Sequence, residues 1–357
     1  MALMKLSFGM LVACVICGCA TLHFRGYPGR YDAFGDSITR GGGLEEPSQA
    51  YPFLVGIAEN VQVTDYALGG DQSCDIAARQ IFPQGLNPPL ADLPISTVLI
   101  GTNDVDHRGV GRYEQIFMQC HLAVVTWLGL PAEHKVLAGS PDSSVSGPVE
   151  METFGRFKVW TTRHDGASAS FRVGLSKAGS IYAWPLIDDD SDASYSYAID
   201  GKVVEKLRVR PNPLIKTANG TTKSLGFIRI TNVDAGQHVV QFTQASAGDR
   251  GVSIVGIGSP VVESGDVLPV VLLGTIPAQR HTGENIGCLS SDAACLQYTQ
   301  DITDDLNLLS SDGLNLRLFD TRKYMFGTPR EMYDNLHPNA VGHRELARSV
   351  EAVWPAK

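Results

Sequence analysis

Apolar residues follow two rhythms along this chain. From Tyr31 to about Leu130, short apolar runs such as Thr97-Val98-Leu99-Ile100 end in glycine-rich loops and give way to helix-like stretches, among them Tyr113 to Leu128. Such alternation predicts a parallel sheet covered by helices. From about Arg156 to Ile257 the rhythm shortens into alternating runs: Phe157-Lys158-Val159-Trp160, Ala169 to Val173, Phe227 to Ile230, Val239 to Phe242 and Val252 to Val255. Turn pairs such as Asp165-Gly166, Asp200-Gly201 and Asn219-Gly220 separate them, as in an all-β sandwich. The first rhythm then returns, with a buried-strand run Val267 to Leu273, a helix over Cys295 to Leu309 and a strand over Leu314 to Phe319. The β block therefore reads as inserted into an α/β frame, which is tolerated when the guest's ends lie close together at a surface loop. His134 to Ala138 is assigned to the guest, because Val267 to Leu273 runs straight into Gly-Thr-Ile-Pro as a host strand should. The expected division is a leader over 1–22, a first host part over 23–130, the β insert over 131–264 and a second host part over 265–357. The last helix is predicted with Pro338 just inside its start and with Leu346, Val350 and Val353 on one face.

Composition narrows the picture. A chain of 357 residues suits two domains at about 150 residues each. Its 43% hydrophobic and 19% charged residues are those of an ordinary globular protein. The formal net charge of −9 argues against a nucleic-acid partner, which would call for a basic face. At the N-terminus, Lys5 precedes the apolar run Leu6 to Cys17 and a stretch of small residues, the layout of a secretory signal and too short for a spanning helix. Ile16-Cys17-Gly18-Cys19 also resembles a bacterial lipoprotein processing site, in which Cys19 would be lipidated and attach the protein to a membrane. The alternative is plain secretion with cleavage near Ala20. Both imply export: secreted, periplasmic or lipid-anchored at the bacterial envelope. Beyond the leader remain Cys74, Cys120, Cys288 and Cys295, which allow three pairings. Cys288 and Cys295 bracket a short loop and are favoured as one bridge, leaving Cys74 with Cys120. No Cys-x-x-Cys pair remains for zinc, and Asp188-Asp189-Asp190 reads as a solvated loop rather than a calcium site, so neither metal nor cofactor is expected.

The sharpest chemical feature is Phe34-Gly35-Asp36-Ser37-Ile38-Thr39, at the end of the first predicted strand, where parallel sheets present their ligand crevice. Asp36 or Ser37 would be unremarked as a helix cap. A serine nucleophile, however, needs a base, and the base needs an orienting carboxylate. Asp334-Asn335-Leu336-His337-Pro338 supplies both at a spacing that lets Asp334 fix the tautomer of His337. Attack on an ester also builds charge on the carbonyl oxygen, which calls for donors already aimed at it. Ala67-Leu68-Gly69-Gly70-Asp71 and Gly101-Thr102-Asn103-Asp104 end two further strands and offer a backbone amide and a side-chain amide. Either alone would pass for an ordinary turn.

The set Gly35-Asp36-Ser37, Gly70, Gly101-Thr102-Asn103-Asp104 and Asp334-x-x-His337-Pro338 resembles the SGNH/GDSL hydrolases, whose blocks occur in this order. The match spans Tyr31 to about Leu130 and Val267 to Trp354. The resemblance implies an α/β, flavodoxin-like three-layer α/β/α fold with a five-stranded parallel sheet, here interrupted by an inserted all-β jelly-roll sandwich. It implies Ser37 as nucleophile, His337 as base and Asp334 as its partner, with the Ser37 and Gly70 amides and the Asn103 side chain forming an oxyanion hole. Gly70 is preferred to Gly69 because the family glycine commonly precedes an Asp, here Asp71. The β block resembles, more loosely, jelly-roll modules that bind sugars. Trp160, Tyr182, Trp184, Tyr195 and Tyr197 are candidates for stacking on pyranose rings, against the plainer reading that they fill the sandwich core. The leading expectation is an exported esterase removing O-acetyl groups from carbohydrate. The alternatives are a broad short-chain carboxylesterase or lipase with the insert as lid or spacer, and a surface glycan-binding protein with a disused hydrolase core.

Overall fold

The alternation of side chains along a short, fully buried strand explains how one sheet serves two cores. The computed structural model describes residues 29–189, 194–208, 215–246, 251–263 and 266–356. The leader with Cys19, and Asp190 of the acidic run, lie outside the described residues. Five parallel strands, β1 (Arg30–Gly35), β2 (Gln62–Asp65), β3 (Ile95–Leu99), β16 (Val270–Gly274) and β17 (Asn315–Phe319), run in the order β17-β16-β3-β1-β2. Successive residues of a strand point to opposite faces. Val270 and Leu272 join Tyr31, Ala33, Ile95 and Leu99 in a core with helices α2 (Tyr51–Glu59) and α8 (Ala340–Glu351). Val271 and Leu273 join Phe34 and Val98 on the other face, against α5 (Arg112–Leu128) and α7 (Ala293–Ser311).

The intervening chain forms two antiparallel sheets. One, in the order β11-β10-β14-β8-β5, comprises β5 (Ser143–Ser146), β8 (Ser168–Leu175), β10 (Ser194–Ile199), β11 (Lys202–Arg208) and β14 (Gly236–Ser246). The other follows β12-β9-β15-β7-β6, with β13 and β4 pairing to β9 and β15; its members are β4 (Lys135–Leu137), β6 (Glu150–Phe154), β7 (Phe157–Thr162), β9 (Gly179–Asp188), β12 (Lys223–Leu225), β13 (Ile228–Val233) and β15 (Val252–Gly258). Between them Trp160, Phe171, Ile181, Val240, Phe242 and Ile254 form a closed core. The outer face of the second sheet packs on α5: Trp184 meets Trp127 with ring centroids 5.1 Å apart, and its indole N–H donates to Thr126 Oγ1 at 3.1 Å.

This balance corrects the expected fold class. Among the described residues twelve strands, β4 to β15, are antiparallel and only five build the parallel sheet, so the molecule is mostly β with modest helix content. The α/β, three-layer description does not fit the chain as a whole. The physical reason is that the β block is no side attachment: Tyr182, Trp184, Leu225 and Val255 share one continuous core with Phe117, Trp127 and Val271. Of the two readings of Trp160, Tyr182, Trp184, Tyr195 and Tyr197 the plainer one holds: all are buried, the most accessible at 6%, and serve as core. One smaller expectation is corrected. Pro338 lies outside the last helix, which begins at Ala340 and is capped by Asn339 Oδ1 accepting from the Val341 and Gly342 amides. Both favoured cysteine pairs are joined, Cys74 to Cys120 and Cys288 to Cys295.

Candidate active site

Strand β1 ends at Gly35, and Asp36 caps the short helix α1 (Ser37–Arg40) by accepting the Ile38 amide on Oδ1 at 2.9 Å. Only glycine fits at 35, because an added Cβ would fall 2.1 Å from Thr39 Oγ1. Ser37 is thus the first residue of a helix at the C-terminal end of a parallel strand, and the first amides of a helix have no partner within it. The helix stops after one turn at Gly41, in the left-handed region at φ 87°.

The loop before α8 brings its imidazole to the serine from 300 residues away: His337 Nε2 lies 2.9 Å from Ser37 Oγ. His337 Nδ1 lies 2.9 Å from Asp334 Oδ2, and Asp334 Oδ1 accepts the amides of Leu336 at 2.7 Å and His337 at 2.6 Å. The carboxylate therefore folds its own loop as well as holding the ring. Burial alone would raise the Asp334 pKa, but these amides and the imidazole outweigh it and hold the carboxyl below its ordinary value. An ionised Asp334 fixes the proton on Nδ1 and leaves Nε2 free to accept from the serine hydroxyl. The pair sits at an open surface, with side-chain exposures of 24% for His337 and 44% for Asp334.

Asn103 stands in α4 (Thr102–Arg108), which follows β3, and is 7% exposed. Its Nδ2 donates to Asp71 O at 2.9 Å and contacts Asp36 Oδ2 at 3.4 Å, placing it beside the residue that precedes the serine. Gly70 follows β2 in the left-handed region at φ 77°, and a Cβ there would touch the Asn219 side chain at 3.6 Å. A Cβ on Gly69 would lie 3.9 Å from Ser37 Cβ. The predicted residues thus fall into a triad joined by direct hydrogen bonds, with Asn103 and the Gly69-Gly70 turn linked to it through Asp36 and Asp71. Burial pushes the Asp36 carboxyl up to about 7 against the pull of the Ile38 amide, with Asp104 and Asp71 adding to the rise.

No family model matches the chain, and no curated protein matches it. Solved structures overlap it in part. A two-domain esterase active on acetylated mannans, co-crystallized with mannopentaose, is similar at 11% identity and a TM-score of 0.35, over 64% of this chain and 90% of its own. A family two carbohydrate esterase from Cellvibrio japonicus is similar at 15% identity and a TM-score of 0.27, over 52% of each chain. The C-terminal family 6 carbohydrate-binding module of a marine laminarinase from Zobellia galactanivorans overlaps 34% of this chain and 94% of its own, at 16% identity and a TM-score of 0.27.

Several residues at the site have no signal in the sequence motifs. Gln80, in a π-helical turn over Ile76–Ile81, clamps Gly35 by accepting its amide at 3.2 Å and donating to its carbonyl at 2.7 Å. Its Nε2 also donates to Asp71 Oδ2 at 2.8 Å, while Arg79 and Asn219 bond Asp71 Oδ1. Asn219 belongs to the stretch 215–221 of the β block, which docks beside α3 (Ser73–Asp75). Thr217 Oγ1 donates to Asp75 Oδ1 at 2.8 Å, the Ala218 amide to Gln72 Oε1 at 2.9 Å, and Arg108 Nη2 to Lys216 O at 3.0 Å. Gly42 lies directly under the triad: a Cβ there would sit 2.8 Å from His337 Cδ2 and 3.2 Å from Ser37 Cβ. The run Gly41-Gly42-Gly43 was the available clue for the last of these; the others depend on tertiary contact.

Proposed function

We propose that the protein is an exported serine ester hydrolase of the SGNH/GDSL type that removes short acyl groups, chiefly O-acetyl, from carbohydrate. The observation that carries this reading is the hydrogen-bonded line from Ser37 Oγ through both nitrogens of His337 to Asp334 Oδ2, each step 2.9 Å. In this mechanism His337 Nε2 takes the hydroxyl proton as Ser37 Oγ attacks the acyl carbon. The tetrahedral oxyanion forms against the Ser37 and Gly70 amides and the Asn103 Nδ2, whose long contact to Asp36 is the one exchanged for substrate. His337 then gives the proton to the departing sugar oxygen, leaving acyl-Ser37. Water then gives a proton to His337 as it attacks the acyl carbon, and His337 returns that proton to Ser37 Oγ as the acyl–Oγ bond breaks, releasing the carboxylic acid and restoring the serine hydroxyl. The open position of His337 and Asp334 favours an acyl group carried on a bulky hydrophilic molecule over a long chain that needs a closed apolar channel. Export follows on this reading from the leader over 1–22, with Cys19 or Ala20 marking the cleavage region.

Ser37→Ala should abolish both acetate release and covalent labelling by a fluorophosphonate while leaving the thermal midpoint within a few degrees. Labelling that persists in the variant removes Ser37 from the role.

A further inference from the structure

Burial of the β-block aromatics raises the question of where a sugar ring would rest. Among the described residues only Phe326 and Tyr333 are exposed aromatic rings, at 65% and 69%, and both belong to the segment that ends in His337. A single exposed apolar side chain is ordinary. The placement of Tyr333 is not. Its amide donates to the carbonyl of His337 at 2.8 Å, so its backbone is fixed to the catalytic loop. Its side chain lies over Gly43: a Cβ at that glycine would fall 3.0 Å from both Cβ and Cδ1 of Tyr333. Gly43 itself holds φ 86°, a backbone state that disfavours any other residue. The preceding glycine, Gly42, lies equally close beneath the Ser37–His337 pair. Two consecutive glycines thus carry the nucleophile's base on one and the tyrosine ring on the next.

We propose that the Tyr333 ring is the platform on which the pyranose bearing the acyl group stacks beside Ser37. The proposal rests on the esterase reading and deepens it by naming what recognises the carrier. Tyrosine joins a flat apolar face to a polar tip, which suits it to a wet, partly apolar ligand. A ring already held against Gly43 loses little conformational freedom on binding. An O-acyl group leaves the sugar within two bonds of the ring, so a pyranose lying on Tyr333 presents its carbonyl to a nucleophile one glycine away. An acyclic ester has no ring face to use and draws nothing from the platform.

The test compares acetylated xylo-oligosaccharides with vinyl acetate in wild type, Tyr333→Ala, Tyr333→Leu, Tyr333→Phe and Tyr333→Trp. The ratio of kcat/KM for the sugar ester to that for vinyl acetate should fall at least tenfold in the Ala and Leu variants, mainly through KM. The Phe and Trp variants should keep it within threefold. An unmoved ratio in the Ala and Leu variants, or an equal loss in Phe and Trp, overturns the platform while the esterase reading stands. A wild-type protein inert on both esters overturns the esterase reading and the platform with it.

Discussion

At the scale of single residues, the site concentrates buried acids beside a serine, and their titration has consequences for stability. Asp36 is 1% exposed and its carboxyl is pushed up to about 7, first by burial and then by Asp104 and Asp71. A group with a raised folded-state pKa contributes stability that is full below its unfolded value and lost as pH rises through the folded one. The window here runs from about pH 4 to beyond 7, and at ~1.4 kcal/mol per unit the loss is on the order of 4 kcal/mol. Urea unfolding at pH 5 and pH 8 should show wild type less stable at the higher pH, and Asp36→Asn should flatten that slope. Equal slopes in the two proteins would mean that Asp36 stays ionised in the fold. Asp334 works in the opposite sense: its lowered pKa gives stability above the ordinary carboxylate range that is lost as pH falls below it. These triad residues are legible in the sequence because the proposed acyl transfer demands particular residue types, although Asp104-x-x-His107 repeats the acid–base spacing and only the fold selects Asp334 and His337. The Gln80 clamp on Gly35 was not, since a glutamine inside an apolar stretch announces no partner.

At the scale of elements, the helices were found where apolar periodicity was strong. Helix α5 runs Arg112–Leu128 and α7 Ala293–Ser311, close to the expected spans. Ends are less legible: Pro338 fits the first turn of α8 on sequence grounds, yet Asn339 makes the cap and the helix begins at Ala340. What no periodicity could reveal is the docking of 215–221 against the loop after β2, because Asn219 and Asp71 lie 148 positions apart and meet only in the folded chain. In the proposed mechanism that contact supports the oxyanion site. Asn219 holds Asp71 Oδ1 at 3.0 Å and lies beside Gly70, so it supports the turn whose amide is proposed to face the oxyanion. Asn219→Ala should lower kcat about tenfold, equivalent to roughly 1.4 kcal/mol, with KM and the thermal midpoint nearly unchanged. An unaltered kcat would make the segment a neighbour of the site and no part of its support.

At the scale of the whole molecule, the sequence suggested a guest seated in a host, and the structure joins the two through a shared interior. Texture along a chain reports local periodicity; it cannot report that Trp184 and Tyr182 will be buried against α5 and α7 instead of within their own sandwich. The polar counterpart of that core is Asp312, just past α7. Its carboxylate accepts from Ser180 Oγ at 2.8 Å, Tyr182 OH at 2.9 Å and Arg229 at 2.7 and 2.5 Å, all from strands β9 and β13. The Asp312 side chain is 6% exposed and that of Arg229 25%, so removing the acid leaves a cation and two hydroxyls short of a partner in a poorly hydrated place. Asp312→Ala should therefore cost about 3 kcal/mol. Because apolar and polar contacts both cross between the two parts, the loss should appear as a downward shift of one calorimetric transition, with wild type and variant each unfolding in a single step. A variant that instead melts in two steps, the second at the wild-type temperature, would show the sandwich and the parallel sheet to be separately stable, with Asp312 merely holding them side by side.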